Sequence, residues 1–117
     1  FPKSKVLTEK SIRKMVARPK GAAGYNRDGK PKLAYYGLGW SIRPVGNTGK
    51  SNRWHTGGLD GTSTILVLRH DGICWAVLFN ARKTTDRQTA ASKIDSLVHR
   101  AANAVKEWPK HDLFSRP

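Results

Sequence analysis

The chain has 117 residues and a formal charge of +14 at pH 7, with 22 Lys and Arg residues against eight Asp and Glu residues. This length fits one domain, and the sequence has no run of about eighteen apolar residues that would predict a transmembrane segment. Cys74 is the single cysteine, which excludes an intrachain disulfide framework and a zinc site made of paired cysteines. The sequence starts at Phe1 with nothing that resembles a signal peptide, so we expect a processed form of a longer precursor or a shortened piece.

The positive charge is concentrated at the start of the chain. Residues 1–32 hold ten Lys and Arg residues against two acidic ones, whereas the other 85 residues hold twelve against six. A basic segment of this kind attracts anions such as nucleic acid, anionic lipid, a polyanionic wall polymer or an acidic partner. The alternative is an ordinary charged surface in contact with solvent, and composition leaves both interpretations open.

The first predicted element is a short helix from about Glu9 to Ala17. Thr8 has the hydroxyl of a good N-cap, Pro19 stops the helix, and apolar residues recur at helical spacing between them. Residues 21–32 lack periodicity and are rich in turn formers, which predicts a mobile loop.

Four stretches rich in aromatic and β-branched residues then predict strands: Tyr35–Arg43, Asn52–Thr56, Thr62–Arg69 and Ile73–Asn80. Residues 44–50 predict a turn, and the last two strands join across a hairpin at His70-Asp71-Gly72 in which Gly72 supplies a positive φ. Because these last two strands are apolar at consecutive positions, we expect both of their faces to be covered, with helices on at least one side.

A long amphipathic helix from about Asp86 to Glu107 supplies that cover. Thr85 and Gln88 predict a capping box, Pro109 ends the helix, and the tail 111–117 is expected to be ordered only if it docks. The whole sequence predicts one α+β domain. Its antiparallel sheet has about three to four strands, packed by the short N-terminal helix and the long C-terminal helix.

Several motifs carry no chemistry. Gly49-Lys50-Ser51 resembles the end of a phosphate-binding loop, but Pro44 stands where that loop needs glycine and a strand follows where it needs a helix. Cys74 lies in an apolar strand, which predicts a small core thiol. The histidines lack the spacing of a helical metal pair, so we predict no metal site and no cofactor, and we expect two of them to be plain surface residues: His70 and His99.

The segment from Trp54 to Thr62 is different, because three glycines fall within five positions at a strand end. One interpretation is a bulge and turn that need positive φ. The other is a strand edge that accepts a substrate backbone. In that case His55 and Thr56 point into a cleft and a glycine amide faces a developing oxyanion.

These strands resemble a known family. The runs YYGLGWSIR and WHTGGLDGTSTILVLRHDGICWAVLFNAR are similar to the C-terminal part of the serine β-lactamase and penicillin-binding-protein superfamily, especially its class C-like esterases and peptidases. Those proteins have a Tyr-Gly-Leu-Gly-Trp strand, a Lys/His-Thr/Ser-Gly strand with a glycine turn, and two apolar strands that end in Asn. The leading segment SKVLTEKSIRKMVARP resembles the helix that precedes these strands in the family, and the closing helix resembles the one that packs on the family's sheet. The resemblance favours a secreted or extracytoplasmic protein.

The resemblance implies a role for each residue of the triplet and for the glycine after it. His55 would stand for the family's Lys or His, holding the substrate's anionic group and assisting proton transfer. Thr56 would offer a hydroxyl to a substrate carboxylate or carbonyl, and Gly57 would keep the strand free of a side chain where the substrate lies. The Gly58 N–H would be half of the oxyanion hole.

The family's nucleophile motif, Ser-x-x-Lys, is not convincingly present. Ser11 and Lys14 match the letters, but they lie in the basic helix that the resemblance places after the catalytic region. The second motif, Tyr-x-Asn or Ser-x-Asn, has no convincing counterpart either. We therefore expect the nucleophile, its lysine base and their helical domain upstream of Phe1, which makes this chain an inactive C-terminal segment that needs the missing part.

Two other interpretations stay open. The first is a stand-alone basic binding or antimicrobial module for nucleic acid or anionic surfaces, in which exposed rings such as Trp40 and Trp54 would stack on bases. No recognised nucleic-acid-binding motif supports it. The second is a stable piece of the hydrolase whose exposed sheet edge and apolar face are covered by a second copy.

Overall fold

The computed structural model describes residues 5–84, 86 and 88–110. The elements occur in this order: α1 Glu9–Val16, a 3₁₀ turn Gly21–Ala23, β1 Tyr35–Tyr36, β2 Ser41–Pro44, β3 Ser51–Leu59, β4 Thr62–Leu68, β5 Cys74–Phe79 and α2 Ala90–Ala104. The strands form one antiparallel sheet in the order β1-β2-β3-β4-β5. This confirms the α+β fold class, with five strands rather than the predicted three to four.

The additional strand comes from residues 35–43, which the sequence predicted as a single strand. The chain folds back within this stretch, because Gly39 has a φ of +78° and the Gly37 N–H donates to the Trp40 carbonyl at 2.7 Å. The prediction of one strand was wrong because aromatic content indicates extended backbone but does not detect a tight turn. Glycine reaches positive φ at little steric cost, so the two halves pair as β1 and β2.

The glycine-rich part of β3 continues without a bulge. Gly57 pairs with Thr64 and Gly58 with Ser63, and the register stays unbroken to the last pair before the turn. A two-residue turn then follows, in which Gly61 has a φ of +78°. The strand therefore extends beyond the predicted end at Thr56, and the positive φ is confined to the turn.

The helix α1 begins as predicted. The Thr8 hydroxyl caps it by accepting a hydrogen bond from the Ser11 N–H at 3.2 Å. Its C-terminal turn contacts the β1 region, where the Tyr35 hydroxyl donates to the Val16 carbonyl at 2.8 Å. The loop 21–32 is hydrogen-bonded, since the Arg18 guanidinium donates to two of its carbonyls, at 2.7 and 2.9 Å.

The helix α2 is shorter than predicted at both ends. It begins after Thr89, whose hydroxyl accepts from the Ser92 N–H at 3.2 Å, and it ends at Ala104, five residues before Pro109. The predicted capping box was misplaced because threonine at 89 caps the helix by the same chemistry, and Gln88 precedes the helix. Thr85 and the tail 111–117 lie outside the described residues.

The core lies between α2 and one face of β3, β4 and β5. Ile65, Val67 and Ala91 have 3%, 1% and 1% of their surface exposed, and partly buried apolar side chains pack against them: Trp54, Trp75, Val77 and Ile94. The buried Ser63 hydroxyl accepts a hydrogen bond from the Ala91 N–H at 3.1 Å. This bond satisfies one of the free amides at the start of α2 and joins the helix to the sheet.

The opposite face of β4 and β5 is open. Leu66 is 45% exposed and Leu78 75% exposed, and Cys74 is exposed as well. The predictions that both faces are covered and that Cys74 is a core thiol were therefore wrong. In β5 the side chains alternate between the covered and the open face, and no described element packs over the open one.

The two histidines predicted to be plain surface residues differ. His70 is exposed and lies in the β4–β5 turn, with Nδ1 2.9 Å from the Asn52 Oδ1. His99 is half-buried instead, because its ring packs edge-to-face on Trp75 with centroids 4.8 Å apart. Within the described residues no helix is long and apolar enough to cross a bilayer.

Candidate functional site

The candidate site is the second half of β3, which has a neighbour on one side only. The pairing of β2 with β3 ends at Trp54 opposite Ser41, whereas the pairing with β4 continues to Leu59. Residues 55–59 are all exposed. A strand edge of this kind presents backbone donors and acceptors to another extended chain.

The register decides which backbone groups face the free edge. The Val45 N–H donates to the Lys50 carbonyl at 3.0 Å, which makes this the first hydrogen-bonded pair between β2 and β3. Hydrogen-bonded and non-hydrogen-bonded pairs alternate along antiparallel strands. The backbone of Trp54 therefore hydrogen-bonds to β2. The backbone groups of Thr56 and Gly58 point to the same side as those of Trp54, but no β2 residue lies opposite them. Their N–H and C=O groups face the free edge.

The side chains of the predicted site residues alternate between the two faces. His55 and Gly57 pair with Leu66 and Thr64 of the open face, whereas Thr56 pairs with the buried Ile65. One of the two interpretations of this segment placed His55 and Thr56 in one cleft. Both residues line the same hollow, although successive strand residues face opposite sides of the sheet.

The hollow has a volume of about 500 Å³ and lies against the open face, with Trp40, Leu66 and Leu78 among its lining residues. Gly57 also lines it, and a side chain at 57 would place its Cβ 2.5 Å from the Thr64 Oγ1. Any other residue at position 57 would therefore require the Thr64 side chain on β4 to move.

Gly58 is under no such constraint. The nearest atom to a Cβ built there is the Thr62 carbonyl oxygen, 3.9 Å away, and the backbone has no positive φ. Neither packing nor conformation requires glycine at position 58. The absent side chain leaves the backbone beside the free edge uncovered.

Tyr36 also belongs to the site, although no pattern in the sequence indicated it. Its hydroxyl lies 2.9 Å from the His55 Nε2, and the two rings meet edge-to-face with centroids 6.0 Å apart. The contact depends on the fold-back between β1 and β2, because a single strand over residues 35–43 would not return Tyr36 toward β3. Aromatic content alone could not reveal this contact.

The two tryptophans that were expected to be exposed are half-buried. Trp54 packs on the α2 side of the sheet, and the Arg43 guanidinium lies 5.1 Å from the centroid of its ring. Trp40 lines the hollow. Neither ring is as open to base stacking as the sequence indicated.

The Ser-x-x-Lys match in α1 does not form a nucleophile–base pair. The Ser11 Oγ lies 2.9 Å from the Thr8 Oγ1 within the N-cap, and none of its hydrogen bonds among the described residues reaches Lys14. Ser11 thus has a capping role in this structure.

The carboxyls with lowered pKa values lie away from β3. Burial tends to raise the pKa of Asp71, but hydrogen bonds from Arg69 and the Ile73 N–H, together with the Arg69 charge, outweigh it and lower the pKa. The pKa of Asp86 falls to about 2, chiefly because Lys93 and Thr84 hydrogen-bond to the carboxylate. Both groups belong to the scaffold on the α2 side rather than to the site.

Comparison with known proteins gives no relative for the chain: no family model, no curated protein and no solved structure matches it. Among the described residues, no group of three or more His, Cys, Asp or Glu side chains could hold a metal ion. The function is therefore argued from the geometry of β3 and from the motifs in the sequence.

Proposed function

We propose that this chain is the C-terminal segment of a serine β-lactamase-like hydrolase and supplies one wall of its active site. The observation that supports this most is the free edge of β3 at Thr56 and Gly58, within a His-Thr-Gly-Gly run. The resemblance implies that a substrate lies along this strand. The fold leaves this part of the strand without a neighbour on the side where β2 ends.

In this proposal the backbone at the edge does the binding. A substrate laid along β3 pairs with Thr56, and the Gly58 N–H donates to the oxyanion that develops when its carbonyl is attacked. The His55 imidazole lines the adjacent hollow and holds an anionic group of the substrate. The attacking serine and its lysine base come from the missing part, so the reaction is an acyl transfer that this chain does not complete alone.

A turnover assay tests whether the chain is incomplete. The purified 117-residue chain is incubated with nitrocefin and with a p-nitrophenyl ester, and we expect no release of product above the buffer rate. Turnover that disappears in Ser11→Ala and persists in the matched Ser96→Ala would contradict the proposal, because it would make Ser11 the nucleophile.

The open face also needs a partner in this proposal. Leu66 and Leu78 are apolar and exposed, and β5 is an edge strand. We propose that the missing N-terminal part of the hydrolase covers them and that a second copy does so when that part is absent.

Light scattering over a range of concentrations tests the second-copy arrangement. We expect a dimer that Leu66→Gln weakens. The matched Leu97→Gln should leave it unchanged, because Leu97 is equally exposed, at 45%, but lies on α2. A clean monomer at high concentration would contradict the second-copy arrangement.

A second candidate function, binding of a polyanion, is favoured by the charges of the N-terminal region. Lys10, Lys14, Lys20 and Arg27 are exposed, and among the described residues no carboxylate lies within ion-pair distance of them. Exposed cations of this kind neutralise phosphates, and the affinity then falls steeply with salt.

A gel-shift titration in rising salt with double-stranded DNA tests this candidate. The variant Lys10→Glu/Lys14→Glu should weaken binding more than Lys83→Glu/Lys106→Glu, which makes the same charge change elsewhere. No shift even at low salt would eliminate binding to nucleic acid.

A further inference from the structure

The contact between Tyr36 and His55 has a consequence for the chemistry of the imidazole. The Tyr36 Oη and the His55 Nε2 are 2.9 Å apart, and neither side chain hydrogen-bonds to any other described residue. A phenol O–H can donate a hydrogen bond. A neutral imidazole has one nitrogen that accepts a hydrogen bond and one that donates. The tautomer of a histidine is set by the hydrogen bond that one ring nitrogen makes.

We propose that Tyr36 is a positioning residue whose hydroxyl donates a hydrogen bond to the His55 Nε2. The proton of the neutral imidazole is then on Nδ1. The edge-to-face contact of the two rings, with centroids 6.0 Å apart, supports this orientation of the imidazole. His55 then carries an N–H donor at Nδ1 while it is neutral. His55 lines the hollow beside the free edge of β3, and its Nδ1 bonds to no other described residue, so we assign this N–H to an oxygen of a ligand bound in the hollow.

The use of that donor in hydrolysis rests on the proposed function. A neutral Nδ1–H donor suits a carbonyl or carboxylate oxygen and needs no protonation of the ring. The position of the proton itself, however, depends only on Tyr36 and His55 and is measurable on the chain as it stands.

The experiment is long-range ¹H–¹⁵N correlation of the histidine rings in the 117-residue chain. It is recorded well above the ordinary histidine pKa of about 6.5, where a neutral imidazole shows its tautomer. His70 provides an internal reference. Its Nδ1 lies 2.9 Å from the Asn52 Oδ1, which only accepts, so its proton is on Nδ1.

We expect wild-type His55 to show the same tautomer as His70. In Tyr36→Phe the donor is lost, and His55 should shift to the Nε2–H form that dominates for an imidazole in water, with His70 unchanged. Tyr35→Phe is the matched control, because the Tyr35 hydroxyl bonds to the Val16 carbonyl and removing it leaves His55 as in wild type.

A wild-type His55 with its proton on Nε2 would overturn the inference, and this measurement needs no variant to fold. A Tyr36→Phe spectrum identical to wild type would overturn it as well. Either result leaves the hydrolase proposal standing. Conversely, a gene without Ser-x-x-Lys upstream of Phe1 would remove the hydrolase proposal and leave the tautomer unchanged.

Discussion

The two faces of β4 and β5 have similar apolar sequences and opposite environments. On one face, Ile65 and Val67 are 3% and 1% exposed beneath α2, whereas on the other Leu66 and Leu78 are 45% and 75% exposed. The strands are apolar at consecutive positions, as expected for strands that are covered on both sides. The described residues therefore cover only one of two sheet faces whose sequences are both apolar.

The same contrast holds along β3. Its first half pairs with both neighbours, whereas its second half, which contains the His-Thr-Gly-Gly run, has a free edge beside the open face. The apolar surface without a cover and the strand edge without a neighbour thus lie together. This coincidence is what the proposed missing part explains.

Deleting the same number of carbons from each face should give the greatest difference in stability. Ile65→Ala should lower the free energy of unfolding by about 3 kcal/mol, because it leaves a cavity under α2. Leu78→Ala removes as many carbons from a side chain that is exposed in the single chain, and it should change the free energy of unfolding by less than about 0.5 kcal/mol at concentrations where light scattering shows a monomer. Urea unfolding of the two variants at such concentrations measures the difference. Equal losses there would show that the open face is covered within the monomer.

The next effect concerns the bond that joins α2 to the sheet. Ser63→Ala removes the acceptor of the Ala91 N–H and leaves that amide buried without a partner. We expect a loss of about 1.5 kcal/mol. Ser96→Ala, on the exposed surface of α2, should change the stability by less than about 0.5 kcal/mol. If the two variants unfold at the same urea concentration, the Ser63 hydroxyl does not anchor the helix.

The smallest effect is the pH dependence at the start of α2. The pKa of Asp86 is about 2 in the folded chain against an ordinary value of 3.8. A lowered pKa favours folding above the ordinary value, and this contribution is lost as the pH falls through about 2. The melting temperature of wild type should therefore exceed that of Asp86→Asn at pH 5, and the two should converge near pH 2. Lys93→Met should reduce this difference in melting temperature at pH 5, because the Lys93 hydrogen bond helps to lower the pKa of Asp86. A difference in melting temperature that grows as the pH falls would contradict the prediction.

Features that depend on local chemistry were predictable from the sequence. The Thr8 cap and the positive φ at Gly72 follow from side-chain oxygens and from glycine's freedom, both readable within a few residues. The prediction failed where two residues have the same capping hydroxyl: Thr85 was predicted as the N-cap of α2, and the N-cap is Thr89. The fold-back at Gly39 was missed because neighbouring aromatic residues indicate a strand.

The candidate site was predictable only in part. The run from His55 to Gly58 stood out because of its glycines, but its free edge depends on where β2 stops pairing. Tyr36 is 19 residues from His55, and no periodicity links the two. The exposure of Leu78 and Cys74 was unpredictable as well, because a strand sequence does not show whether a covering element exists.

The hydrolase assignment is decided by the reading frame that encodes Phe1–Pro117, together with the intact mass of its natural product. The proposal predicts a longer product whose upstream sequence contains Ser-x-x-Lys followed by Tyr-x-Asn or Ser-x-Asn. A reading frame without these motifs, or a natural product with the mass of this chain alone, would contradict the assignment of His55, Thr56, Gly57 and Gly58 to a serine hydrolase site.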